Sequence, residues 1–100
     1  MKHSNVVRFI VNEENQDTFI KAFNNFPDCD GLISHILIQT GENTFCSCGV
    51  WRDKEAMDSA MPEMISLLNS SRHLLEEISP EKGVTDPVSG SVVFDQNLSN

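Results

Sequence analysis

The sequence predicts an α+β domain in which two helices cover one face of a four-stranded antiparallel sheet. Three observations carry that expectation. Four short segments rich in β-branched and apolar residues alternate with two helix-period segments in the order β-α-β-β-α-β. The second and third strands are separated only by Gly41-Glu42-Asn43, a spacing suited to a hairpin. No linker, repeat or low-complexity tract divides the chain, so the elements share one domain, expected over residues 1–95 with a flexible tail over 96–100.

Each element has its own reason. Val6-Val7-Arg8-Phe9-Ile10-Val11 is apolar at nearly every position, as in a strand covered on both faces. Asn12 is a suitable N-cap, Glu13, Glu14 and Asp17 favour the positive end of a helix dipole, and Phe19, Phe23 and Phe26 recur at helical spacing. Pro27 to Gly31 ends that helix, and Leu32 to Thr40 reads as the second strand. Thr44 to Trp51 reads as the third. Beyond it Met57, Met61, Met64, Leu68, Leu75 and Ile78 recur near a 3.6 period. Pro62 predicts a break, with a short helix over about 53–60, a restart near Pro62 and an end at Ser79-Pro80. Val88 to Phe94 reads as the last strand. This order is that of the ferredoxin-like split βαβ domain.

The formal net charge of −8 over 100 residues repels phosphate backbones and anionic lipid, and no cluster of Lys or Arg offsets it. Nucleic acid and membrane are therefore not expected partners, and no apolar run is long enough to span a bilayer. The N-terminus lacks a signal-peptide pattern and the three cysteines are an odd number, so a cytoplasmic chain without a disulfide framework is expected. Two helices cover only one sheet face, while apolar residues occupy both parities of the strands. The open face predicts a homodimer packed sheet to sheet into an α/β barrel, with the last strand and tail taking part.

The segment Thr44 to Ala60, where a strand ends in Val50-Trp51 and runs into Arg52-Asp53-Lys54-Glu55-Ala56-Met57, resembles the W-x-S-x-E-A-hydrophobic junction of antibiotic biosynthesis monooxygenase-like proteins. These belong to the dimeric α/β barrel superfamily. The turn Pro27 to Gly31 leading into Leu32 is similar as well, and with the element order the resemblance spans roughly residues 5 to 95. It implies a ferredoxin-like dimer, no cofactor, and oxygenation of a hydrophobic or aromatic small molecule; the alternative is a non-catalytic dimeric binding or interaction module. Two histidines frequent in the family's oxygenases fall here on Ala60 and near Ile65. The Asn, Trp and His of its haem-degrading branch fall near Val6, Ala60 and Ser70, which disfavours haem degradation.

His35, mid-strand between apolar neighbours, is the candidate catalytic base: a neutral imidazole can take the proton of a phenolic substrate. Its structural alternative is a hydrogen-bonded core histidine. His3 is expected in a flexible start. Arg8 stands among Val, Phe and Ile, and needs a carboxylate partner at the dimer seam or a substrate carboxylate. Trp51, Phe23, Met57, Met61 and Met64 are candidates to line a cleft between sheet and helices, where adaptable methionines suit a planar ligand; the plainer reading is core. Cys46-Ser47-Cys48 puts two thiols on one side of a strand about 7 Å apart. A closed zinc site needs about four ligands, so packing is the expected role and no metal is predicted. Cys29 is the thiol expected to be exposed. No dinucleotide, phosphate-loop, zincin, nucleophile-elbow or EF-hand motif occurs.

Overall fold

A computed structural model describes residues 1–96, so the expected tail falls outside the described residues from position 97 onward. Strand β1 spans His3–Ile10, β2 Leu32–Gln39, β3 Thr44–Trp51 and β4 Asp86–Ser91. Helix α1 covers Gln16–Asn24 after a 3-10 turn at Glu13–Asn15, and α2 covers Lys54–Ser71 before a second 3-10 turn at Arg72–Leu74. The sheet order is β2-β3-β1-β4 with every pairing antiparallel. Both helices lie on one face, the ferredoxin-like α+β arrangement that the element order predicts. Among the described residues no helix is long and apolar enough to cross a membrane.

The strict two-residue period of β1 and β3 decides which residues meet the helices. Phe9 on the first strand, Val11 just beyond its end, and Phe45, Ser47, Gly49 and Trp51 on the third are buried beneath them. The intervening Val6, Arg8, Cys46, Cys48 and Val50 point to the open face. There Arg8 lies opposite Cys46 on one side and Asp86 on the other, and Val6 opposite Cys48 and Val88. The strands are thus covered on one side only in the single chain. Ile36, Ile38 and Val88 leave the open face apolar.

The helix side holds two clusters rather than one core. Phe9, Val11, Phe19, Phe45, Leu74 and Leu75 form the first, with Phe9–Phe19 and Phe19–Phe45 ring centroids 5.3 and 5.5 Å apart. Cys29, Trp51, Ala56, Met57 and Ala60 form the second under the start of α2. A cleft lies between them.

Four expectations need correction. Helix α2 runs unbroken through Pro62: the residue is exposed, water can satisfy the carbonyl that loses its partner, and the buried side of Ala56, Met57 and Ala60 continues into half-buried Met64. The same helix stops at Ser71, well before Ser79-Pro80, because Leu74 and Leu75 are adjacent and both buried; the 3-10 turn ending at Leu74 and the extended backbone at Leu75 place both in the first cluster while Glu76 N–H donates to Ile10 O at 2.9 Å. The last strand is Asp86–Ser91, with Val92 to Phe94 beyond it. His3 belongs to β1 and is buried, paired in register with Trp51 and Ser91, instead of lying in a flexible start.

Candidate functional site

The turn from β3 into α2 builds one end of the site. Asp53 has extended backbone and its carboxylate accepts from Ala56 N–H at 2.8 Å, capping α2. Arg52 N–H donates to Gly31 O at 2.7 Å, tying the turn before β2 to the same junction. This fixes Trp51, only 1% exposed, at the sheet edge of the cleft with Met57, Met61 and Met64 following on α2 above it. At the other end the Gln16 side chain donates to Val11 O at 3.0 Å and Glu42 O at 2.7 Å, holding the start of α1 to the β2–β3 hairpin and so placing Phe19 and Phe23.

The cleft has a volume of about 580 Å³. Its sheet floor carries Asn5, Val7, Phe9, His35, Ser47 and Trp51, and its roof is formed by Phe23 and Phe26 and by the α2 methionines with Ile65 and Leu68. None of its lining residues is Asp, Glu, Lys or Arg, in a chain whose net charge is −8. The sheet contributes Asn5, His35, Ser47 and Ser89 as polar lining residues, and Asn25, Ser70, Ser71 and Thr85 lie around the rest of the cleft. Trp51 Nε1 donates to Asn5 Oδ1 at 2.7 Å, and Gly49 makes that contact feasible, since a Cβ there would lie 2.7 Å from the same Asn5 oxygen. A smaller hollow of about 290 Å³, bounded by Ile20, Leu37 and Phe45, shares Phe23 and His35 with the cleft as a common wall.

His35 reaches the cleft. Its ring packs edge-on against Phe26 with centroids 4.5 Å apart and lies 5.5 Å from Phe23. Burial among these rings disfavours the imidazolium and lowers the pKa of His35 below its ordinary 6.5, so the ring is neutral and basic at pH 7. In the unfolded chain the same ring binds its proton more readily. Folding stability is therefore unaffected well above pH 6.5 and declines as pH falls through 6.5 towards the lower folded value. An imidazole NMR titration is expected to place His35 below 6.5, and the loss of stability between pH 7.5 and pH 5 should shrink in His35→Phe; an equal loss in both proteins would contradict the assignment.

Trp51, Phe23, Met57, Met61 and Met64 all line the cleft. Arg8 does not. It sits on the opposite sheet face because it alternates with Val7 and Phe9, and its Nε lies 3.6 Å from Asp86 Oδ2; of its two expected roles, a carboxylate pair at a dimer seam or a substrate anchor in the cleft, it makes a carboxylate pair, within the chain and away from the cleft. Lys82 approaches the same carboxylate at 3.1 Å. The thiol expected to be exposed is buried: Cys29 packs beneath α2 and donates to Glu63 Oε2 at 3.3 Å, and burial followed by the Glu63 carboxylate raises its pKa. Asn5, Ser47 and Gly49 were not singled out by the sequence. The available signal was parity, since Asn5 shares a face with Val7 and Phe9 and lies opposite Gly49.

Fold and cleft together define a ferredoxin-like α+β domain with an open, mostly apolar cleft, free of charged lining residues, between its sheet and helices. Solved structures share that fold along the whole chain. SnoaB of Streptomyces nogalater, described as a cofactor-independent oxygenase and compared as a single-substitution variant, matches at 20% identity with a TM-score of 0.69 over 99% of this chain and 98% of that one. A provisionally named antibiotic biosynthesis monooxygenase from Chloroflexus aurantiacus matches at 12% identity with a TM-score of 0.75, covering 99% and 100% of the two chains. A conserved protein of Methanosarcina mazei matches at 12% identity and a TM-score of 0.76 over 91% and 92%. No family model and no curated protein matches the sequence. At these identities the likeness establishes the fold.

Proposed function

We propose that the chain is a small oxygenase that needs no cofactor, acting on an uncharged aromatic molecule with an ionisable hydroxyl, and that His35 is its base. The observation that carries this reading is a cleft of about 580 Å³ without a charged lining residue, into which a neutral imidazole projects. The volume suits a drug-sized ligand, and the apolar roof supplies binding while the floor orients it. The described activity of SnoaB supports the reaction class. An anionic ligand such as haem finds no cation here to pair with its carboxylates.

The chemistry follows from the base. His35 takes the phenolic proton, and the resulting phenolate is electron-rich enough to pass one electron to dioxygen. The phenoxyl radical and superoxide combine at ring carbon to form a C–O bond, the imidazolium returns the proton to the peroxide, and loss of water across the hydroperoxide leaves a quinone. One phenol and one dioxygen give one quinone and one water. Asn5 Nδ2, its Oδ1 being engaged by Trp51, remains a donor to the developing oxyanion.

A second reading, a non-catalytic binding module, is favoured by the absence of any side-chain hydrogen bond orienting the His35 imidazole among the described residues. Oxygen uptake separates the two. With a naphthalenediol as probe, uptake is expected to equal quinone formed and to fall roughly 100-fold or more in His35→Gln while quenching of Trp51 fluorescence by the probe persists. Quenching without uptake in the native protein establishes the binding module, and no quenching removes the cleft from both readings.

The open face supports a homodimer. Ile36, Ile38 and Val88 are 56, 44 and 64% exposed there, beside Val6, and a second copy of the same face would cover them and close a barrel. Light scattering at micromolar concentration is expected to report twice the 11.2 kDa chain mass. The proposed setting is the cytoplasm.

A further inference from the structure

We propose that Cys46 and Cys48, with Arg8 beside them, form a two-coordinate site for a soft monovalent cation of the copper(I) type. The site lies on the sheet face opposite the cleft and is independent of the oxygenase reading. Phe45, Ser47 and Gly49 are buried under the helices, so the two cysteines between them point together to the open face, where both are half-exposed free thiols. Residues two apart on a strand are separated by about 6.7 Å, well beyond the roughly 4 Å between β-carbons that a disulfide requires. The strand therefore keeps the pair reduced while holding it parallel.

A soft ion bridges such a pair with less demand. With a metal–sulfur bond of about 2.3 Å, a linear bridge asks for sulfurs roughly 4.6 Å apart, which the two side chains reach by leaning towards each other along the strand. Binding releases one proton from each thiol and forms two sulfur–metal bonds with no electron transferred. The product is a bis-thiolate complex of net charge −1.

Arg8 supplies the matching charge. It lies directly opposite Cys46 in the β1–β3 register, and Asp86 holds its guanidinium at 3.6 Å on the far side. Val6, Ile36 and Ile38 surround the thiols with hydrocarbon, so hard cations find no oxygen donors beside the pair. Among the described residues no three His, Cys, Asp or Glu side chains converge as a metal site, which excludes a closed zinc centre built from them but not a two-coordinate one. In the proposed homodimer a second copy covers this face, so the two thiols and their ion would lie at the seam.

The test is an anaerobic titration of the reduced 100-residue chain with copper(I) in competition with a chromogenic copper(I) chelator. One equivalent per chain is expected, with affinity rising about 100-fold per pH unit below the thiol pKa values because two protons leave. Cys46→Ser and Cys48→Ser should each weaken binding by about 100-fold or more, whereas Cys29→Ser should leave it unchanged. Arg8→Met should weaken it roughly tenfold. Circular dichroism verifies each fold, and alanine replaces serine wherever a variant fails to fold. Failure to compete with the chelator, full affinity in either serine variant at 46 or 48, loss of binding in Cys29→Ser, or preferential uptake of zinc would each overturn the site.

Discussion

Replacing Trp51 by alanine is expected to remove about 3–5 kcal/mol of stability, the range for truncating a buried Trp or Phe. For a domain of this size that is a fall in melting temperature of roughly 15–30 °C. The cost has two sources. The ring is 1% exposed and packs against Ala56, Met57 and Ala60, so its removal opens a void that α2, capped by Asp53 and tied through Arg52 to Gly31, is poorly placed to fill. Its Nε1 also donates to Asn5 at 2.7 Å, and the Asn5 carbonyl loses that partner. Trp51→Phe separates these contributions: it keeps most of the hydrocarbon and loses the donor, and should cost about 1–3 kcal/mol. Urea unfolding measures both. A loss below about 1 kcal/mol for Trp51→Ala would show that the second cluster does not hold the sheet to α2.

The same ring marks how far the sequence carried the site. Trp51 and the three methionines could be placed on the cleft because a strand end followed at once by helical spacing leaves one geometry for the junction, and hydrophobic periodicity reports that geometry directly. Phe23 and His35 followed from their elements in the same way. Arg8 was misplaced because its strand is apolar on both parities. Without a polar alternation to say which parity met the helices, a lone charge reads equally as an anchor in a cavity or as a cation on an open face, and only the pairing Arg8–Asp86 across β1 and β4 decides it. Asn5 was invisible for a related reason. A polar residue near a strand end looks like the approach to the strand until its cross-strand partner Gly49 is known to leave room for Trp51. Pro62 misled by its local chemistry. One missing hydrogen bond on the exposed side of α2 is tolerated where the buried side is continuous, and propensity alone cannot weigh those two. In each case the missing information was a long-range contact, which is the part of a fold that local pattern does not encode.

Gly31→Ala is the second large effect, and it tests whether the height of the cleft roof is set by backbone contact. Gly31 has φ +86°, in the left-handed region where a side chain costs roughly 1–2 kcal/mol. A Cβ there would also lie 2.5 Å from the Cβ of Ala56. That atom is fixed to the first turn of α2, so relief requires the helix to lift, at about 1–3 kcal/mol for an overpacked contact. Together the substitution should cost about 3–4 kcal/mol, against about 1–2 for Gly83→Ala, where φ is +73° and nothing lies within 4 Å of the added carbon. The difference between the two isolates the steric part. Ala56→Gly in the Gly31→Ala background should recover more than it costs alone, because it removes the collision as well as a helix-favouring methyl; additive losses would mean that the two carbons do not meet. The consequence reaches the cleft. Met57 lies one residue beyond Ala56 and Met61 and Met64 follow on the same helix, so a lifted first turn moves the roof away from Trp51 and Asn5. An aromatic probe that quenches Trp51 should therefore bind more weakly to Gly31→Ala and regain affinity in the double variant, whereas Gly83→Ala, remote from the roof, should bind it as the native chain does.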